Sequence, residues 1–199
     1  MKNIAVFASG FGSNLQAIIK AIKQGRLDAN LALVVSDKKD AYALKRAKRA
    51  GIKTLLLEPA KFPSREAFED EVLKALKEEK VELVVLAGFM RIIGKVLLEN
   101  FPNRILNIHP ALLPAFKGSW GIRDAFEYGV KITGVTVHIV DDKMDHGPII
   151  LQGVIKIATK DTLESLEKRI HRLEHKLYPA AIQVMLSGKI KVEGRKVVI

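Results

Sequence analysis

The chain has 199 residues and no cysteine. That absence removes disulfides, thiolate metal ligands and cysteine nucleophiles together, and it fits a reducing compartment. No long hydrophobic run is present either. The N-terminal MKNIAVFASGFGSN holds only about five apolar residues before polar and glycine positions, too short for a signal-peptide core or a membrane span. The apolar run near Leu83 to Met90 is also too short to span. Biased tracts, internal repeats and linkers are lacking, and 48% of residues are apolar, so a single well-buried domain of residues 1–199 is expected. These absences predict a soluble, cytoplasmic protein.

Acids are outnumbered, 22 against 33 lysines and arginines, for a formal charge of +11. Such a balance suits a phosphorylated metabolite, a poly-acid tail or a nucleic acid. Many lysines, however, lie beside acids on helix faces such as KRAKRAG and KALKEEK, the pattern of a solvated surface.

Apolar runs alternate with helical patterns from the start. Residues 4–8, 31–36, 53–57, 82–87 and 103–109 read as strands buried on both faces. Residues 13–24, 41–50, 64–79 (with Ser64 as N-cap) and 94–100 read as helices between them. That alternation predicts an α/β, doubly wound, mostly parallel sheet with helices on both faces. In the second half, Ile132 to Asp141 and Ile149 to Ala158 are expected to pair through the turn DDKMDHGP. A long helix follows Asp161, with an apolar stripe of Leu163, Leu166, Ile170, Leu173 and Leu177 and a bend expected at Pro179. IKVEGRKVVI reads as a closing hairpin around Glu193 and Gly194.

Three places are candidates for chemistry. SGFGSN, residues 9–14, joins the first strand to the first helix, where glycines and free helical N–H groups favour an anion. A dinucleotide fingerprint needs a third glycine where Leu15 stands, although Asp37 after the second strand occupies the place of a ribose-binding acid. HRLEH, residues 171–175, puts His171, Glu174 and His175 on one helical face in the order of an inverted zinc-protease motif, but lacks an evident third ligand. LNIHPALLP, residues 106–114, places Asn107 and His109 two apart at a strand end, where open α/β sheets bind ligands. Asp141, Asp142 and Asp145 follow in a turn that Gly147 and Pro148 are expected to hold. A carboxylate beside an imidazole favours its cation, which could then stabilise an oxyanion together with the amide of Asn107. His138 is either a further polar group of that cleft or a satisfied core histidine.

Taken in order, SGFGSNLQAI, LAGFMRI, NIHPALLP, GVTVHIVDDKMDHGPII and EHKLYP resemble the phosphoribosylglycinamide formyltransferase family, folate-dependent enzymes of purine synthesis with a Rossmann-like formyltransferase fold. The resemblance covers nearly the whole chain. It implies formyl transfer from 10-formyltetrahydrofolate, as co-substrate, to the amine of 5'-phosphoribosylglycinamide, in a single domain. Residues 1–100 would form its phosphate-binding half and residues 101–199 its folate-binding and catalytic half. By resemblance, Gly12, Ser13 and Asn14 hold the substrate phosphate, His171 and Glu174 close over the ribose phosphate, and Asn107, His109 and Asp145 form the catalytic set. A folate pocket is implied at Arg65, Met90, Arg91, Ile92, Ile93, Asn107, Asp141, Asp142, Lys143, Met144 and Asp145. Small molecules are the implied partners, with neither nucleic acid, membrane nor metal, and a monomer or homodimer. Lys117 to Ile122 and His146 depart from the family pattern. Two sister activities share this kind of core: methionyl-tRNA formyltransferase, which has an additional RNA-binding domain, and formyltetrahydrofolate deformylase, in which water replaces the amine.

Overall fold

Ile4 and Val6 point to one side of the first strand and Ala5 and Phe7 to the other, and all four are fully buried. A strand that is apolar on both faces needs a layer on each. The computed structural model, which describes residues 1–198, supplies those layers. Its main sheet has seven strands: β1 (Lys2–Phe7), β2 (Ala29–Ser36), β3 (Lys53–Leu56), β4 (Leu83–Leu86), β5 (Ile105–His109), β6 (Ile132–Ile139) and β7 (Ile149–Lys156), in the order β3-β2-β1-β4-β5-β6-β7. The first five run parallel, β6 is antiparallel to both neighbours, and the fold is the expected mostly parallel α/β sheet. β3 is an edge strand with Lys53 and Leu56 exposed, so the expectation of burial on both faces fails there.

Helices α1 (Ser13–Lys23), α2 (Tyr42–Arg49), α5 (Gly121–Tyr128) and α6 (Leu163–Leu186) cover one face, while α3 (Arg65–Glu78) and α4 (Lys95–Asn100) cover the other. Ser64 caps α3, accepting the Ala67 N–H at 3.1 Å. Leu166 and Ile170 of the expected α6 stripe are fully buried, whereas Leu163, Leu173 and Leu177 pack at its margin. Pro179 lies inside α6, which continues to Leu186. Tyr178 is fully buried, and its hydroxyl donates to the carbonyls of Leu86 and Leu106 at 2.7 and 3.2 Å, joining α6 to β4 and β5.

Helix α5 has no counterpart in the expected elements. Its eight residues bury Gly121, Ile122 and Ala125 and stop at left-handed Gly129; that terminating glycine is the local signal that could have found it. The closing hairpin, β8 (Lys191–Glu193) and β9 (Lys196–Val198), turns at Gly194 as expected. Its last expected residue, Ile199, lies outside the described residues.

Strand order reverses between β1 and β4, because the chain crosses from the β3 edge back over the sheet before laying down β4. At such a reversal the loops after two neighbouring strands diverge and leave a crevice at their C-terminal ends. The SGFGSN loop and residues 88–93 form that crevice here.

Candidate active site

The loop after β1 is fastened to the loop after β4. Ser9 donates its N–H to the Gly88 carbonyl, and its hydroxyl accepts the Met90 N–H, both at 3.1 Å. Gly12 then adopts φ 73° as the residue before α1. A side chain there would be strained, and its Cβ would also lie 2.8 Å from the Cβ of Ala43 on α2. Glycine therefore allows α1 to begin at Ser13 with its first N–H groups directed outward.

Opposite this loop stands α6. Buried Glu174 accepts from the Asn14 amide at 3.1 Å and from His171 Nδ1 at 2.9 Å, both on Oε2. Its Oε1 has no hydrogen-bond partner among the described residues. The Glu174 bond raises the pKa of His171 above its ordinary value, against the opposing effect of burial. Burial pushes His175 the other way, the charge of His171 adds to this, and Glu174 opposes it. Two histidines one turn apart are thus shifted in opposite directions.

The second polar cluster lies at the ends of β5 and β6. Register places Asn107 directly across from His138, and their side chains meet at 3.2 Å between the amide nitrogen and Nε2. Asp145 enters from the turn after β6. Asn107 donates to its Oδ1 at 3.3 Å, the Gly118 N–H donates to its Oδ2 at 2.9 Å, and His109 Nδ1 faces Oδ2 at 3.4 Å. His138 donates from Nδ1 to the Ile139 carbonyl at 2.8 Å, which leaves Nε2 facing Asp145 at 3.7 Å. Burial pushes the Asp145 pKa up, but His138, the Gly118 N–H and the charge of His109 outweigh it, holding the carboxyl below its usual range. Asp145 is therefore ionised at neutral pH. The remaining nitrogen of His109, Nε2, donates to the Phe116 carbonyl at 2.7 Å. Gly147 lets the turn close, since a Cβ there would overlap the Ile139 carbonyl.

Both clusters line one cavity of about 680 Å³. Of the residues singled out in the sequence, Gly12, Ser13, Asn14, His171 and Glu174 stand in its wall. So do Met90 to Ile93, Asn107, His109, Asp141, Lys143, Met144 and Asp145. Arg65 and Asp142 do not. Arg65 is exposed at the start of α3, beside Gly94. His138 belongs to the cleft. His146 stays outside it, bonded to Asp141 and Arg195. Within the departing segment, Gly118 and Ser119 reach the wall and Trp120 stays exposed. Sequence reasoning missed the roles of Phe116 and Gly118, which act through backbone groups and so carry no side-chain signal. It also left His175 out of the site, although EHKLYP contained it.

Among the described residues no group of three His, Asp or Glu side chains is placed to hold a metal ion, so HRLEH lacks a third ligand. Asp37 is buried and lines a second hollow with Tyr42, Glu58 and the loop residues Ser9 to Phe11, while Leu15 stands where a dinucleotide fingerprint needs its third glycine. Among the described residues no helix is long and apolar enough to cross a membrane.

This arrangement, a glycine loop and helix start facing an ionised Asp–His–Asn group across an α/β crevice, is that of a group-transfer enzyme acting on small molecules. Residues 2–182 match the formyl transferase family, and the chain belongs to it. The similarity is narrower still. The chain is 48% identical to the phosphoribosylglycinamide formyltransferase of Bacillus subtilis (strain 168), over 94% of this chain and 95% of that one. It is 40% identical to the enzyme of the same name from Escherichia coli (strain K12), over 96% and 90%. The crystal structure of glycinamide ribonucleotide transformylase 1 from Symbiobacterium toebii superposes with a TM-score of 0.97, at 48% identity, covering 100% of this chain and 94% of that one.

Proposed function

We propose that the chain transfers the formyl group of 10-formyltetrahydrofolate to the amine of 5'-phosphoribosylglycinamide, a step of purine biosynthesis. The observation that carries this is the sharing of one cavity by the Gly12–Asn14 loop with Glu174 and by the Asn107, His109 and Asp145 group. The loop N–H groups and Ser13 take the phosphate, as a helix start favours an anion. Glu174 presents its free Oε1 to the ribose hydroxyls, and protonated His171 adds a positive charge near the phosphate. The apolar wall from Leu86 to Ile93, with Val140 and Met144, suits a flat heterocycle. Exposed Arg65, just beyond the Ile93 end of that wall, is the cation for an acidic folate tail. Residues 1–100 and 101–199 thus contribute to both substrate subsites of a single formyltransferase domain.

An amine with a pKa of about 8 is partly free base at neutral pH and needs no strong general base. It attacks the formyl carbon; the C–N bond forms, negative charge develops on the formyl oxygen, and a proton must pass from the attacking nitrogen to the departing one. Protonated His109 supplies a donor to that oxygen from Nε2, the ring atom now turned to the Phe116 carbonyl. Asn107, held by Asp145 and His138, positions the same oxygen, and ionised Asp145 stabilises the His109 cation and relays the proton through water. Mixing the protein with both substrates and following tetrahydrofolate release tests the reading. Release should require the ribonucleotide. Equal release without it would point to water as acceptor, the deformylase reaction, and formylation of a methionyl-tRNA supplied instead would point to the other sister activity.

A further inference from the structure

His146 stands outside the cavity and is bonded on both sides of its ring. Its Nδ1 donates to Asp141 Oδ2 at 2.7 Å. Arg195, at the turn of the β8–β9 hairpin, donates from one guanidinium nitrogen to His146 Nε2 at 3.0 Å and from the other to the His146 carbonyl at 2.6 Å. Asp141 in turn accepts the Lys143 N–H on Oδ1 at 3.0 Å, closing the head of the same turn. The hairpin itself is anchored, because Val192 and Val197 pack against the main core. A fork fixed at its base therefore holds a turn that has no regular secondary structure between β6 and β7.

We propose that Arg195 is a positioning residue that acts through His146 and Asp141 to hold the turn that carries the cavity residues Asp141, Lys143, Met144 and Asp145. This rests on the assignment of that turn to folate. Asp145 is held independently by Asn107 and the Gly118 N–H, so loosening the fork frees the head of the turn without releasing the catalytic carboxylate. The effect falls on co-substrate binding rather than on chemistry.

Arg195→Ala should raise the KM for 10-formyltetrahydrofolate about three- to tenfold, leaving kcat within about twofold and the ribonucleotide KM unchanged. Arg195→Lys should not rescue, because an ammonium cannot span His146 Nε2 and the His146 carbonyl together. Adding His146→Ala to Arg195→Ala should cost little more, since both remove one linkage. Amide exchange at residues 142–147 of the free protein should quicken in Arg195→Ala. An unchanged folate KM, full rescue by lysine, or a fall in kcat alone would overturn the proposal. Absence of formyl transfer by the parent protein would instead sink the functional assignment, and the exchange measurement still decides whether Arg195 holds the turn.

Discussion

The two ends of the cavity are built in opposite ways. At the end proposed for the phosphate, six consecutive residues, 9–14, form the loop, with Glu174 of α6 bonded to Asn14. The loop follows a strand, needs one left-handed glycine, and opens a helix whose free N–H groups come with the helix itself. At the other end, proposed for the chemistry, β5 supplies Asn107 and His109, β6 supplies His138, the segment after Pro114 supplies the Phe116 and Gly118 backbone groups, and the turn before β7 supplies Asp145, which touches partners 27 and 38 residues away in sequence. A local device tolerates change elsewhere in the chain, whereas an assembled one depends on every segment that meets there.

The largest test of this contrast is Asp145→Ala. It removes the acceptor shared by Asn107, Gly118 and His109, and tetrahydrofolate release should slow by roughly a thousandfold, the scale of a lost proton-transfer partner. Ribonucleotide binding, measured by calorimetry, should stay near the parent value because the loop proposed for its phosphate is held by Gly88, Met90 and Glu174 rather than by Asp145. Gly12→Ala strikes the other end. A left-handed alanine with its Cβ against Ala43 should cost about 2 to 4 kcal/mol in denaturant unfolding and weaken ribonucleotide binding. Transfer by the folded fraction at saturating ribonucleotide should persist.

Tyr178→Phe tests the strut between the two ends. Two buried carbonyls at β4 and β5 lose their donor, and unfolding free energy should fall by about 1 to 3 kcal/mol. The smallest effect is the pH response of the His171–Glu174 pair. The folded pKa of His171 is raised above 6.5, so its stabilisation is fully present below that value and fades as pH rises through the folded pKa. The half-exposed position keeps it small. Thermal melting of the parent should show this decline on the alkaline side of 6.5, and Glu174→Gln should flatten it. Asp145 has the opposite sign. Its depressed pKa stabilises the fold above about pH 4 and that contribution is lost on acidification.

Most of the fold was legible because its signals are local. Runs such as IAVFA and ELVVLA, Ser64 before its helix, and Gly194 in its hairpin each state an element without reference to distant residues. Helix α5 escaped because its eight residues begin directly after Gly118 and Trp120, where the glycines read as loop, and its apolar face is only Ile122, Ala125 and Phe126. β3 looked buried on both faces because four or five apolar residues carry no mark of whether another strand lies beyond them.

By itself the sequence determined the alternating α/β order, the glycine loop that joins strand to helix at residues 9–14, and the placing of Asn107 and His109 on one strand face, since each follows from spacing along a few residues. Asp145, which the resemblance had already set beside His109, reaches it at 3.4 Å, and only the tertiary structure decided that His138 joins the cleft while His146 turns to Arg195, and that the backbone of Phe116 and Gly118 completes the site. Those choices depend on β5–β6 register and on the path of two connecting segments. Groups in contact there are brought together by packing, which spacing along the chain does not encode.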